Sequence, residues 1–144
     1  VQGIIEKAYE DFDYGYLTRN IDKCMAISGD ILIVDGEKLD KAGQRKYWQE
    51  EFQTINELEA KVEETLRVGS STEILKLTPK GPDKVAVQVR TINRLMATSI
   101  DFQDVITTES REVWVLKKGT WKLSEVTIQK EDRKTYRDGQ EIEL

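Results

Sequence analysis

The sequence predicts an α+β domain: helices first, then a large β-sheet that curls around the first helix. Three observations predict it. Apolar residues recur at helical spacing through about Thr54. From Asn56 onward they alternate, as in strands with one buried face. No internal repeat, long linker or low-complexity tract divides the chain. Its 144 residues and 16.6 kDa suit a single domain spanning residues 1–144, with one core.

Residues 4–18 form the first predicted helix. Ile5, Tyr9, Phe12 and Tyr16 follow at spacings of four, three and four, so they share a face, while Glu6, Glu10, Asp11 and Asp13 take the other side. Asn20 is the expected N-cap of a short second helix, Ile21 to Ile27, closed by Ser28-Gly29-Asp30. Ile31 to Val34 reads as a short buried strand and Asp35-Gly36 as a turn. Asp40 is the expected N-cap of a third helix that ends near Thr54, with Trp48, Phe52 and Ile55 as its apolar stripe.

Leu58, Ala60, Val62, Leu66 and Val68 then read as a strand over 56–68 on the strength of their alternation, although Glu, Lys, Leu and Ala favour helix by propensity. Ser71 to Leu77 is the next strand, and Pro79 to Asp83 a turn rich in breakers. Val85, Val87 and Val89 open a strand that extends to about Thr98. A long strand follows from Ile100 to Leu116, and Lys117-Lys118-Gly119 connects it to the last one. Gly in the third loop position fits a type I turn with a glycine bulge. That register pairs Val115 with Trp121 and Val113 with Leu123, and turns Trp114 and Leu116 to the outer face as a dimer patch. Apolar residues at 121, 123, 126 and 128 require either a bulge near Ser124-Glu125 or burial on both faces. The charged segment 130–144 reads as a flexible tail and its Lys130–Lys134 run as solvated surface, with Tyr136 able to tie it down.

The residues that are absent exclude much chemistry. With no histidine, the commonest zinc ligand and every Ser-His-Asp or Cys-His arrangement are gone. The lone Cys24 forms no internal disulfide and sits in an apolar context that suits a buried, inert thiol. A net charge of −5 argues against nucleic acid as a partner. No stretch approaches the roughly 20 apolar residues of a membrane span. No phosphate loop or calcium loop appears, so no metal and no cofactor are expected. No signal peptide is visible after Val1, where an upstream segment is free to be missing; a cytoplasmic location is the default expectation.

The order and spacing of these segments resemble the nuclear transport factor 2-like superfamily, in particular its small bacterial members related to SnoaL polyketide cyclases and steroid isomerases. The resemblance rests on Asn20-Ile21-Asp22-Lys23, on Asp30 to Gly36, on Tyr47-Trp48, and on the final hairpin from Val113 to Leu123. It covers about residues 4–129. It implies a cone-shaped (cystatin-like) fold: three helices, then about five to six strands in a curved antiparallel or mixed sheet, with a pocket at the wide end and, in many members, a homodimer formed through the sheet.

The resemblance also supplies site candidates. Asp35 lies close to where steroid isomerases keep their proton-shuttling aspartate, although Asp-Gly is equally a turn pair. Tyr16, or Tyr9 on the same face, is the candidate oxyanion donor, while the aligned position is nearer Phe12. Isomerases carry a protonated acid on the strand entering the last hairpin, where this chain reads Ser110-Arg111-Glu112, and the arginine speaks against that chemistry. No strand offers the Arg-x-Asp spacing of epoxide hydrolases, and the histidines of dehydratases are missing. Asp101 and Asp104 have opposite parity, so one faces inward near Arg90 or Arg94 or both remain solvated edge charges.

Two functions stay open. The favoured one is a non-enzymatic module that binds a small apolar ligand, or assembles as a homodimer, around a pocket lined by Tyr9, Phe12, Tyr16, Trp48 and Phe52. The alternative is an enzyme that isomerises, dehydrates or cyclises a small carbonyl compound, with Asp35 as base and Tyr16 as donor. Both require the sheet to leave a hollow, which is expected to fail if 56–68 is helical or if Phe12 faces water.

Overall fold

Ile5, Tyr9, Phe12 and Tyr16 do share one face of the first helix, and that face organises the domain. The computed structural model describes residues 1–143. Three helices, α1 (Gln2–Leu17), α2 (Ile21–Ala26) and α3 (Lys41–Val62), pack with strands β1 (Ser28–Val34), β2 (Glu37–Leu39), β3 (Arg67–Gly81), β4 (Lys84–Ala97), β5 (Phe102–Lys117), β6 (Thr120–Arg137) and β7 (Gln140–Ile142). The sheet order is β2-β1-β6-β5-β4-β3, with β7 added beside β6. All pairings are antiparallel except β1 with β6, so the sheet is mixed.

Asn20 caps α2 by accepting from the Lys23 backbone N–H, and Asp40 caps α3 by accepting from that of Gly43. Between α1 and α2 the backbones nearly touch. A Cβ on Gly15 would lie 2.7 Å from the Lys23 Cβ, so only glycine allows this approach.

Helix α1 spans two apolar clusters. Ile5 and Tyr9 pack with Val85, Val87, Val89, Trp114 and Leu123 at one end. Tyr16 packs with Cys24, Phe52, Ile55, Leu66 and Phe102 at the other. Phe12 touches both clusters and is partly buried between them.

Several expectations are corrected. Residues 56–62 continue α3 rather than starting a strand; Ile55, Leu58 and Val62 prolong the apolar stripe at spacings of three and four, and the helix ends only where Glu63 turns left-handed. The strand begins at Arg67, and the hollow survives. Ser28-Gly29-Asp30 belongs to β1 rather than to a helix stop, and Ile31, expected to be buried, is 50% exposed. Asp35-Gly36, both at positive φ, turns directly into a strand, β2, that the sequence did not suggest.

The last hairpin is shifted by one residue. Lys118 and Gly119 both take positive φ, which makes a two-residue primed turn instead of a three-residue bulged one. Trp114 therefore pairs with Leu123 and Leu116 with Trp121, and a one-residue slip reverses every side chain. Trp114 is 1% exposed and sits in the core, so it cannot belong to an outer dimer patch; Leu116 shares its inward face. The bulge near Ser124-Glu125 is present, with Ser124 as the extra residue between Trp114↔Leu123 and Val113↔Glu125.

Residues 130–137 are not a flexible tail. They pair with Phe102 to Glu109, because the first half of β5 would otherwise expose an unpaired edge, and Asp138-Gly139 turns them into β7. Leu144 lies outside the described residues. Among the described residues no helix is long and apolar enough to cross a membrane.

Candidate functional site

Curling the sheet over α1 and α3 leaves a partly open cavity of about 320 Å³. Phe12, Tyr16, Tyr47 and Trp48 form its helical wall. Trp48 meets Tyr47, Phe12 and Tyr16 edge-on at centroid separations of 5.0, 5.3 and 6.3 Å, and stacks on Phe52 at 5.9 Å. Phe52 itself does not border the cavity; it lies behind Trp48 in the core, so it supports the wall rather than lining it.

The opposite wall is the inner face of the sheet. Strand register sets its rows. Thr72, Thr91, Thr108 and Glu131 stand side by side on four adjacent strands and all border the cavity. Asp13 of α1 accepts from Ser70 (2.8 Å) and Thr72 (3.0 Å), which ties the helix to this polar row. Burial raises the Asp13 pKa, and those hydrogen bonds oppose the rise.

At the narrow end Tyr9 donates to Glu112 at 2.7 Å and accepts from the Trp114 indole N–H at 3.0 Å. Ser110 donates to the other Glu112 oxygen at 2.8 Å. No cation reaches this carboxylate among the described residues. Burial therefore raises its pKa, with the Tyr9 and Ser110 hydrogen bonds acting the other way. Burial, then the Glu112 charge, pushes the Tyr9 phenol up as well.

At the mouth Tyr16 donates to Glu51 at 3.3 Å. Glu51, Glu131 and Tyr47 border the cavity together, and burial first, then the two carboxylate charges, raise the Tyr47 pKa. Arg133, expected on a solvated surface, projects from the inner face beside them. It is held by a buried Asp104 (1% exposed) at 2.8 and 3.1 Å, and Thr135 also donates to Asp104. Asp104 thus faces inward, but its partner is Arg133 rather than Arg90 or Arg94. Arg90 instead bridges Glu109, and Glu73 more distantly, on the outer face.

Gln44 also borders the cavity, 2% exposed. Its Nε2 donates to the carbonyls of Gly29 (3.2 Å) and Leu39 (3.2 Å), and to that of Asp30 at 3.5 Å. Reversing the amide would set oxygen against these carbonyls, so the orientation is fixed. Its Oε1 then has no donor, a deficit that costs about 1–3 kcal/mol when left unmet.

Asp35 does not join the site. It sits in the β1–β2 turn, where its carboxylate accepts from the Ile128 backbone N–H at 2.9 Å, and it does not border the cavity. Cys24 borders the cavity as a buried thiol with its pKa pushed up to about 12, by burial first and then by Asp13. That value disfavours a thiolate at neutral pH. Sequence reasoning set Glu112 aside because of its neighbour Arg111. Parity was the available signal: Ser110, Glu112 and Trp114 continue the even-numbered inner run of Phe102, Asp104 and Ile106, so Arg111 points outward.

No protein-family model matches the chain, and no curated protein matches it by sequence. Solved structures do match in fold. A ketosteroid isomerase-like protein from Erwinia carotovora atroseptica is 14% identical, with 88% of this chain and 92% of that chain covered and a TM-score of 0.62. A LinA hexachlorocyclohexane dehydrochlorinase from Novosphingobium barchaimii is 14% identical, with 92% and 88% covered and a TM-score of 0.66. A scytalone dehydratase-like protein from Novosphingobium aromaticivorans is 10% identical, with 91% and 85% covered and a TM-score of 0.68. The chain has the α+β cone fold of the nuclear transport factor 2-like superfamily. Identities this low carry the fold and leave activity to be argued from the site.

Proposed function

We propose that the cavity binds a small, largely apolar molecule. The observation that carries this reading is an aromatic wall built around Trp48, facing a sheet whose inner surface is open and bordered by hydroxyl and carboxyl groups. An apolar body gains most from the aromatic wall, and the polar row fixes its orientation. Native mass spectrometry of the purified protein, followed by titration of Trp48 fluorescence, tests it. A stoichiometric small molecule, or saturable quenching that weakens in Trp48→Ala, is expected. No saturable binding of any member of an apolar panel would remove the reading.

The Tyr9–Glu112 pair favours a second reading, acid–base conversion of a bound carbonyl compound. Glu112, which burial favours in its neutral form, would donate a proton. Tyr9 replaces Tyr16 as the phenol beside it, and the solvated Glu51 replaces Asp35 as the base. Turnover that disappears in Glu112→Leu while ligand affinity persists would select this reading over simple binding. A homodimer belongs to the proposal on the strength of the fold alone, now without Trp114; sedimentation equilibrium decides it.

A further inference from the structure

The charged side chains that border the cavity are Glu51, Glu112 and Glu131; no lysine or arginine borders it. Glu51 and Glu131 form no ion pair among the described residues. Arg133 stands close enough to interact with both, but its ion pair is with the buried Asp104 through two nitrogens, so neither mouth carboxylate has an ion-pair partner of its own among the described residues. Beside them stand the Tyr47 and Trp48 rings, perpendicular to each other at 5.0 Å, with Tyr47 51% exposed. Two ring faces at right angles, flanked by carboxylates, attract cations through both charge and the ring quadrupole. An independent observation points the same way. Among the described residues, the one buried polar side-chain atom without a partner, Gln44 Oε1, is an acceptor, and its amide is fixed so that it cannot become a donor. What the cavity lining lacks is positive charge.

We propose that the ligand carries a protonated amine, seated at the mouth between Glu51, Glu131 and the Tyr47 and Trp48 rings, with its apolar body along the aromatic wall. The inference rests on the ligand-binding reading above and names the class of that ligand. It distinguishes this cavity from one built for a neutral or acidic molecule of the same shape.

The test is calorimetric titration with three probes of matched shape: phenylbutylamine, phenylbutanol and phenylbutyrate. The amine is expected to bind about tenfold tighter than the alcohol, and the carboxylate more weakly than both. Raising sodium chloride from about 0.05 M to about 0.5 M should weaken the amine and leave the alcohol unchanged. Glu51→Gln with Glu131→Gln should bring the amine down to the affinity of the alcohol. Glu131 is exposed, so Glu131→Gln alone keeps the test available if the double variant does not fold; it should cost the amine about threefold and the alcohol nothing. Equal binding of amine and alcohol overturns the amine inference and leaves the apolar-ligand reading standing. Saturation by none of the three probes overturns both.

Discussion

Helix α1 presents two tyrosines, Tyr9 and Tyr16, two turns apart on one face, and each donates to a glutamate. The chemistry is the same and the surroundings differ. Tyr9 and Glu112 meet at 2.7 Å at the narrow end of the cone, with Trp114 and Ser110 completing the network. Tyr16 and Glu51 meet at 3.3 Å at the mouth, where Glu51 is only half buried. Burial converts the first pair into a network whose members depend on one another, because each lost partner leaves a group without water to replace it. The second pair keeps water within reach, so its carboxylate stays available to a ligand. Distance along one helix face thus separates a buried, networked acid from one that water still reaches.

The sharpest way to break this contrast is Trp114→Ala. It removes the largest fully buried side chain from the narrow end and should cost about 3–5 kcal/mol in urea unfolding. A loss typical of surface positions would mean that Trp114 lies on the outer face after all. Tyr9→Phe should cost about 1–3 kcal/mol, since it strips the Trp114 N–H of its acceptor and Glu112 of a donor.

A pH series sharpens the comparison further. Glu112 has a raised folded pKa, so the folded state holds its proton more tightly than the unfolded chain does. Stability is therefore greatest with Glu112 protonated, and falls as pH rises from the ordinary carboxylate range through the raised value. In Glu112→Gln melting temperature should depend less steeply on pH across that window. A residual slope of the same sign should remain from Asp13, whose pKa burial also raises. A variant with an unchanged pH profile would show that Glu112 does not titrate abnormally.

Smaller effects belong to the mouth and the turn. Tyr16→Phe should cost less than about 1 kcal/mol, because Glu51 can turn to water; a larger loss in urea unfolding would erase the distinction between the two pairs. Asp35→Asn should lie within about 0.5 kcal/mol of the parent and leave ligand affinity unchanged, since asparagine tolerates the left-handed turn and the residue is outside the cavity. Altered affinity in that variant would return Asp35 to the site.

The helical wall was legible in the sequence because it is local. Tyr9, Phe12 and Tyr16 share a face by spacing within one helix, and Trp48 lies in the apolar stripe of another. The sheet wall was not. Its content depends on register, and register turned on whether Lys118 would accept positive φ, a choice that costs about 1–2 kcal/mol and moves Trp114 from surface to core. Glu112 was obscured instead by its neighbour Arg111, whose side chain the strand turns to the opposite face. The strand expected over 56–68 failed for a related reason: alternation at Leu58, Ala60 and Val62 coincides with helical spacing from Ile55, and only the partner surface decides between them.

By itself the sequence determined the α+β class, both side-chain helix caps, the aromatic face of α1 and the chemistry excluded by having no histidine. These are properties of neighbours along the chain, or of composition, and they need no knowledge of what packs where. Only the tertiary structure decided which carboxylates face inward, which of them is buried without a cation, and that Gln44 is held with its oxygen unpaired. Those outcomes depend on strand register and on burial. Both arise from contacts between segments far apart in the chain; strand parity marks which residues share a face, and only the surface packed against it decides that the face is buried.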